Sequence, residues 1–350
     1  MENHDEANFA ALESKKAADQ ADVSITTETV GVEDKRSIRQ RRWSPLESIT
    51  VRNFKAIKEA VIPLDRVTIL VGANGCGKSS VLQAVHWAAR AASYIQPRQS
   101  KEMVPFEKLD YVPSSEPLET LHNGELKSDA SSTPVEVAFL HLPSNEEILQ
   151  ATVRIRAARN RGGITVYVDG GNAVTPFKQR FQFITAYLPG LAGLAEKETV
   201  LAQPSLRRQA ASGDAGGCLR NVLFNVQNRR AGEDDAAPGN ERLRSLNELI
   251  QRVHPGVSVE ISFNPQEDYY ISAYVRTDAM SGRSRPLETT ATGILQVVQI
   301  FAYLKLFEPK IMLIDEPDAH LHPDKQERLI EALEKAASEY DTQIILTTHS

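Results

Sequence analysis

The chain has 350 residues, 41% of them hydrophobic and 25% charged, and 40 basic against 46 acidic side chains give a net charge of −6. This composition excludes a wholly disordered chain and favours a soluble globular protein of one large or two ordinary domains. No apolar stretch approaches the roughly 18 residues of a membrane span, and the N-terminus carries no signal pattern, so we expect no membrane contact. The two distant cysteines, Cys76 and Cys218, exclude a disulfide scaffold and favour a cytoplasmic protein.

The acidic charge is concentrated at the N-terminus. Residues 1–34 contain nine acidic and two basic side chains, a net charge of −7, which leaves +1 for everything after them. Because residues 1–44 also lack apolar periodicity, they are predicted to form a disordered tail. The nearly neutral remainder is compatible with a surface that faces DNA.

The rest of the chain alternates strand-like and helix-like segments. Its first half predicts a polar loop over Pro97–Pro134, a helix over Lys78–Tyr94, and strands at Leu46–Phe54, Ala60–Leu64, Val67–Val71, Val135–Leu142, Thr152–Arg156, Ile164–Val168 and Phe181–Leu188. A mostly helical stretch, 191–256, is followed by predicted strands at Val257–Phe263 and Tyr269–Val275. The last part predicts helix Ala291–Leu306, strand Ile311–Asp315, helix Pro323–Ser338 and strand Gln343–Thr348, which is an α/β rhythm.

The strongest functional signal is the segment from Gly72 to Ser79, which matches G-x-x-x-x-G-K-[ST] at every fixed position. Glycines let successive backbone N–H groups point inward around a phosphate, and the following helix adds its partial positive charge. Lys78 is expected to reach the β- and γ-phosphates, and the Ser79 hydroxyl to bind Mg²⁺. The predicted nucleotide-contacting residues here are Gly72, Ala73, Asn74, Gly75, Cys76, Gly77, Lys78, Ser79 and Ser80.

A second signal lies at Ile311–Glu316, where four apolar residues run into two adjacent carboxylates. Ligands gather at the C-terminal edge of parallel strands, so Asp315 is expected beside the phosphate loop, where it would hold Mg²⁺ directly or through water. Glu316 is then the candidate that polarises the attacking water.

The Asp-Glu pair and the following residues 317–323 resemble the Walker B motif and D-loop of ABC-type ATPases. The resemblance is to the RecF/SMC-like branch and the related OLD-type and PtuA-like ATPases, whose switch histidine and first strand are similar to residues 345–350 and 49–55. It implies an ABC-ATPase-type P-loop NTPase with a mixed central sheet, an antiparallel β lobe and a helical lobe inserted at about 190–256. The implied domain spans 45–350, with its C-terminal end expected to be incomplete.

The family also needs a signature segment that opens a helix and caps the ATP bound to the other subunit. Thr292-Gly293-Ile294-Leu295-Gln296 occupies the expected place in a degenerate form, since Ile294 replaces the second glycine and the glutamine lies one position late. The resemblance implies that Thr292 and Gly293 contact nucleotide in trans and that His349 contacts the γ-phosphate, although an ordinary capped helix would also explain the segment. The family's Q-loop glutamine stays open between Gln96 and Gln203.

The resemblance therefore implies an ATPase with ATP and Mg²⁺ as cofactors, in which Glu316, Lys78 and His349 are catalytic. It implies a homodimer or higher oligomer that closes on ATP and acts in DNA repair or in defence against foreign DNA. The alternative is a weakly hydrolysing scaffold that binds a nuclease partner or nuclease domain, and a small-molecule kinase is disfavoured by the Asp-Glu pair. Candidate DNA contacts are Arg154, Arg156, Arg159, Arg161, Arg207, Arg208, Arg220, Arg229 and Arg230.

Overall fold

The computed structural model describes residues 43–142, 149–190, 193–228, 239–278 and 283–349. The predicted N-terminal tail therefore lies almost wholly outside the described residues. The strands are β1 (Leu46–Phe54), β2 (Ile57–Pro63), β3 (Val67–Val71), β4 (Lys101–Pro105), β5 (Val135–His141), β6 (Gln150–Ala157), β7 (Gly163–Asp169), β8 (Thr185–Leu188), β9 (Val257–Ser262), β10 (Ser272–Thr277), β11 (Ser284–Pro286), β12 (Ile311–Ile314) and β13 (Gln343–Thr348). The helices are α1 (Lys78–Ala92), α2 (Gln203–Ala211), α3 (Leu219–Gln227), α4 (Gly239–Val253), α5 (Thr292–Phe307) and α6 (Pro323–Glu339).

A six-stranded antiparallel sheet runs in the order β2-β1-β5-β6-β7-β4. Its strands alternate, as β6 shows: Val153 and Ile155 are fully buried, while Arg154 and Arg156 are partly exposed. This period of two is the pattern of a sheet with one covered face.

A separate four-stranded sheet is parallel, in the order β3-β13-β12-β8. Strands β12 and β13 are buried along their whole lengths, as expected for inner strands of a parallel sheet covered on both faces. All four strands point the same way, so the segments that follow β3, β12 and β13 meet at one edge. The α/β class is as predicted, with the parallel and antiparallel strands in different sheets.

Helix α1 lies between these two sheets and contacts strands of both. Five of its residues are alanines, whose small side chains keep the diameter of the helix small. Trp87 is fully buried and packs against Phe54 of β1, with ring centroids 5.9 Å apart. The helix that follows the phosphate loop is therefore fixed by both layers.

The helical lobe consists of α2, α3 and α4, packed with α5, α6 and the small sheet β11-β10-β9 around one apolar core. Among the described residues, no helix is both long and apolar enough to span a membrane.

Three element predictions need correction. The segment Pro97–Pro134 is not all loop, because β4 pairs with β7 as an edge strand. Only Val104 of β4 is buried, so the sequence shows no apolar alternation, and β4 is a strand because of its pairing with β7. The strand predicted from Phe181 begins only at Thr185, and Phe181 is 83% exposed. The strand predicted at Tyr269–Val275 begins at Ser272 instead.

Candidate nucleotide-binding site

The loop at residues 72–77 joins β3 to α1 in the tight turn that its glycines allow. Gly75 and Gly77 have φ values of +79° and +102°, a region that other residues rarely adopt. A side chain at Gly77 would also meet Ile57 at 3.3 Å, because the β1–β2 turn packs against the loop. Ala73, Asn74, Gly75 and Cys76 are exposed, so the outer rim of the loop is open to a ligand.

Lys78 begins α1 and folds back over the loop. Its Nζ donates to the carbonyls of Gly72 at 2.6 Å and Ala73 at 3.1 Å, and it lies 3.2 Å from Nδ1 of His349. The side chain is mostly buried, yet its charge is placed at the mouth of the loop. An ammonium group here can attract the phosphates of a nucleotide.

Ser79 and Asp315 meet beneath the loop. Ser79 Oγ donates to Asp315 Oδ1 at 2.9 Å, and the buried Thr347 hydroxyl donates to the same oxygen at 2.6 Å. A hydroxyl and a carboxylate are hard oxygen ligands of the kind that Mg²⁺ takes together with phosphate and water. The donor set therefore fits a magnesium site.

Glu316 and His349 face each other at the same edge. The imidazole Nε2 of His349 contacts Glu316 Oε1, and both side chains are a little over one-third exposed, 38% and 36%. Because the Lys78 ammonium can only donate, His349 Nδ1 accepts from it and the ring proton lies on Nε2, toward the carboxylate. Lys78, His349 and Glu316 thus form one connected row, and the Glu316 carboxylate is accessible to water.

The backbone of Glu316 is held in an unusual conformation. Its φ is +49°, its N–H donates to Thr347 Oγ1 at 2.9 Å, and its carbonyl accepts from Gln296 Nε2 at 3.0 Å. Left-handed backbone at a non-glycine residue persists when the surroundings determine it. The sequence did not predict the contact from Gln296. This residue was noted there only as a signature glutamine that lies one position late.

The predicted signature residues lie at the start of α5. Thr292 is exposed, whereas Gly293 is buried against the D-loop: a side chain there would lie 2.6 Å from the His320 carbonyl oxygen. The glycine is thus required by packing within the same chain, and its predicted contact with a nucleotide in trans stays a prediction. Ser80, in the first turn of α1, is partly buried.

The structure also places Gln203 and the two cysteines. Gln203 donates to Asn225 within the helical lobe, and the Q-loop glutamine stays unassigned. Cys76 and Cys218 are both free, the first exposed and the second buried.

Most of the arginines that were candidates for DNA contact have hydrogen-bond partners within the chain. Their partners are Glu136 for Arg154, the Asp129 carbonyl for Arg156, Glu125 for Arg161, the Phe181 carbonyl for Arg207, the Glu107 carbonyl for Arg208, and Glu288 for Arg220. Arg229 and Arg230 lie outside the described residues. Some of these arginines remain at the surface, with the Arg154 and Arg161 side chains 41% and 59% exposed, and their contact with DNA stays a prediction.

A buried histidine ties α1 to its surroundings. The ring nitrogens of His86 pair with the Thr185 hydroxyl at 2.9 Å and the Ala211 carbonyl at 2.8 Å. Complete burial lowers the pKa of His86 from 6.5 to about 4, so the ring is neutral at physiological pH.

Comparison with known proteins agrees with this geometry. A family described as "AAA domain, putative AbiEii toxin, Type IV TA system" matches residues 219–350, and one described as "AAA ATPase domain" matches residues 45–123. No curated protein matches the sequence.

Solved structures of Smc heads share the fold, and two of them are compared with the chain. An Smc head bound to the C-winged helix domain of ScpA aligns with a TM-score of 0.52 and 16% identity over 87% of this chain and 90% of that one. An Smc head with an extended coiled coil from Pyrococcus furiosus, bound to the C-terminal domain of ScpA, gives 0.50 and 15% over 88% and 90%. The chain therefore has the Smc-head type of P-loop ATPase fold, and the finer resemblance to OLD-type and PtuA-like ATPases stays a prediction.

Proposed function

We propose that this protein binds ATP with Mg²⁺ and hydrolyses it to ADP and phosphate. The observation that carries the proposal is the convergence of Lys78, Ser79, Asp315, Glu316 and His349 at one edge of the parallel sheet. These five side chains supply a cation for phosphates, oxygen ligands for a metal and an exposed carboxylate for a water molecule. The ATPase fold of the chain supports the same chemistry.

In this proposal, Glu316 accepts a proton from the water that attacks the γ-phosphorus, and the bond to the β-phosphate oxygen breaks. Lys78 stabilises the negative charge on the phosphates, and His349 orients the Glu316 carboxylate through Nε2. Mg²⁺ at Ser79 and Asp315 would neutralise charge on the β- and γ-phosphate oxygens.

We further propose that ATP joins two copies of the chain. The exposed Thr292 hydroxyl stands at the N-terminus of α5, where backbone N–H groups can bind an anion, as a phosphate presented by a second subunit requires. Binding of ATP would close the dimer, and hydrolysis of ATP would open it again. Such a switch could serve DNA repair or defence against foreign DNA.

A second candidate function is a scaffold that binds ATP, hydrolyses it slowly and regulates a nuclease partner. The burial of Gly293 beside the His320 carbonyl favours it, because a buried glycine exposes little backbone to the nucleotide of a second subunit. The Smc heads with the same fold were solved with ScpA domains bound, which supports a protein partner here as well.

Steady-state release of phosphate from Mg·ATP by the full chain, with and without double-stranded DNA, tests the proposals against each other. The ATPase proposal predicts turnover that disappears in Glu316→Gln and persists in Glu331→Gln, a matched change on the exposed face of α6. ATP binding without turnover in the unmodified protein would favour the scaffold instead.

A further inference from the structure

The Asp315 carboxylate is contacted on both oxygens by different parts of the fold. Ser79 and Thr347 donate to Oδ1, and the hydroxyl of Tyr187, on the neighbouring strand β8, lies 3.4 Å from Oδ2. Strands β8 and β12 are parallel neighbours in register, with Leu313 beside Tyr187, so the tyrosine reaches the carboxylate just past the end of β12. No sequence motif indicated this residue.

The Gln83 side chain, on α1, is a neighbour of the Tyr187 hydroxyl. On its other side, the Gln83 carbonyl oxygen accepts from Lys55 Nζ at 2.6 Å, and this ammonium also donates to the Pro113 carbonyl at 2.9 Å. An ammonium has only donors, so the amide oxygen of Gln83 faces Lys55 and its NH₂ group faces the tyrosine. This leaves the Gln83 NH₂ group available to donate to the Tyr187 oxygen, while the tyrosine hydroxyl donates to Asp315 Oδ2.

Burial keeps the Tyr187 hydroxyl directed toward Asp315. Tyr187 is 4% exposed, and its ring packs against His86 and Tyr111, with centroids 5.7 Å and 6.0 Å away. A phenol hydroxyl is protonated at physiological pH, so Tyr187 is available as a donor to Asp315. Hydrogen bonds in a row polarise one another when water is excluded.

We propose that Lys55, Gln83 and Tyr187 form a directed hydrogen-bond relay that orients the Asp315 carboxylate for Mg²⁺, with Tyr187 as a positioning residue of the metal site. The inference rests on the proposed function and adds a support that lies outside the nucleotide-binding motifs. It also gives a role to Lys55, which the β1–β2 turn presents with a left-handed φ of +46°. The antiparallel sheet thereby reaches the metal site of the parallel sheet.

The test measures metal binding without turnover. Mn²⁺, whose free form is visible by electron paramagnetic resonance, is titrated into the full chain saturated with a non-hydrolysable ATP analogue. Groups that orient a metal ligand typically change metal affinity by about 10- to 100-fold, and Tyr187→Phe is expected to weaken Mn²⁺ binding within this range. Tyr111→Phe, a buried tyrosine of the same aromatic cluster, is the matched control and is expected to change it less than twofold.

A second variant, Gln83→Met, keeps the tyrosine and removes only the amide that directs its proton, so it is expected to give a smaller loss of the same sign. Affinity for the analogue in EDTA should be unchanged in all three variants, which separates orientation of the metal ligand from a damaged fold. Mn²⁺ affinity equal to the unmodified protein in both Tyr187→Phe and Gln83→Met would overturn the relay. Failure of the unmodified protein to bind Mn²⁺ with the analogue would instead contradict the proposed function.

Discussion

Ser79 and Asp315, 236 positions apart in the sequence, are joined by a hydrogen bond of 2.9 Å from the serine Oγ to the aspartate Oδ1. The contact exists because β3 and β12 run parallel on either side of β13, and their C-terminal ends reach the same edge. It brings a hydroxyl and a carboxylate together under the phosphate loop. The proposed metal site is thus a consequence of strand order.

We expect Thr347 to be as important for ATP turnover as the charged residues at this edge of the sheet. Its hydroxyl donates to Asp315 and accepts from the Glu316 N–H, so Thr347→Val removes both contacts while preserving shape. Hydrogen bonds to charged groups contribute about 1.5–3 kcal/mol, and we expect ATP turnover to fall about 10- to 100-fold. Thr342→Val, which removes a buried hydroxyl bonded to the Pro309 carbonyl, is the control. Equal turnover in the two variants would refute this role.

Gln296 is expected to act on catalysis through the backbone of Glu316. Gln296→Met keeps the volume of a side chain that is 4% exposed but deletes the donor to the Glu316 carbonyl. The loss of about 1 kcal/mol should lower kcat about fivefold with little change in KM. Gln299→Met, equally buried three residues along α5, should leave kcat unaltered. A change in KM alone would show that Gln296 acts on nucleotide binding instead.

Stability should fall in mild acid because of His86. Its pKa is about 4 in the folded protein and 6.5 when unfolded, so between these values only the unfolded chain binds the proton. The stabilisation is complete above pH 6.5 and is lost as the pH falls toward 4, by about 3 kcal/mol in the free energy of unfolding.

Urea denaturation at pH 7.5 and pH 5 measures this dependence. His86→Gln should lose stability at pH 7.5 but show a shallower decline toward pH 5 than the unmodified protein. His322→Gln, at a side chain that is 81% exposed, should retain the full decline. Parallel pH profiles for the unmodified protein and His86→Gln would contradict the assignment.

The structural context of each motif could be predicted because it is local. A buried strand that ends in glycines, and another that ends in two carboxylates, keep their identity in any α/β sheet, and parallel strand order then brings Ser79 to Asp315. Strand β4 was not predicted, because it forms through its pairing with β7 and its own residues do not indicate a strand.

The supporting contacts could not be predicted for a related reason. Tyr187 and Gln296 reach Asp315 and Glu316 through side chains from distant segments, and neither carries a pattern of its own. The partners of the arginine clusters could not be predicted either, since charge density in the sequence does not reveal that Arg154 and Arg161 are paired with acids.

Glu316 is proposed to activate the water that hydrolyses bound ATP, and a single-turnover quench measures that step directly. Excess protein is mixed with radiolabelled ATP and Mg²⁺, and the fraction of bound ATP converted to ADP is followed in the unmodified protein and in Glu316→Gln. Loss of a general base costs about 10²- to 10⁴-fold, so the variant should retain ATP unhydrolysed while binding it normally. Conversion of bound ATP by Glu316→Gln at the rate of the unmodified protein would contradict this role of Glu316.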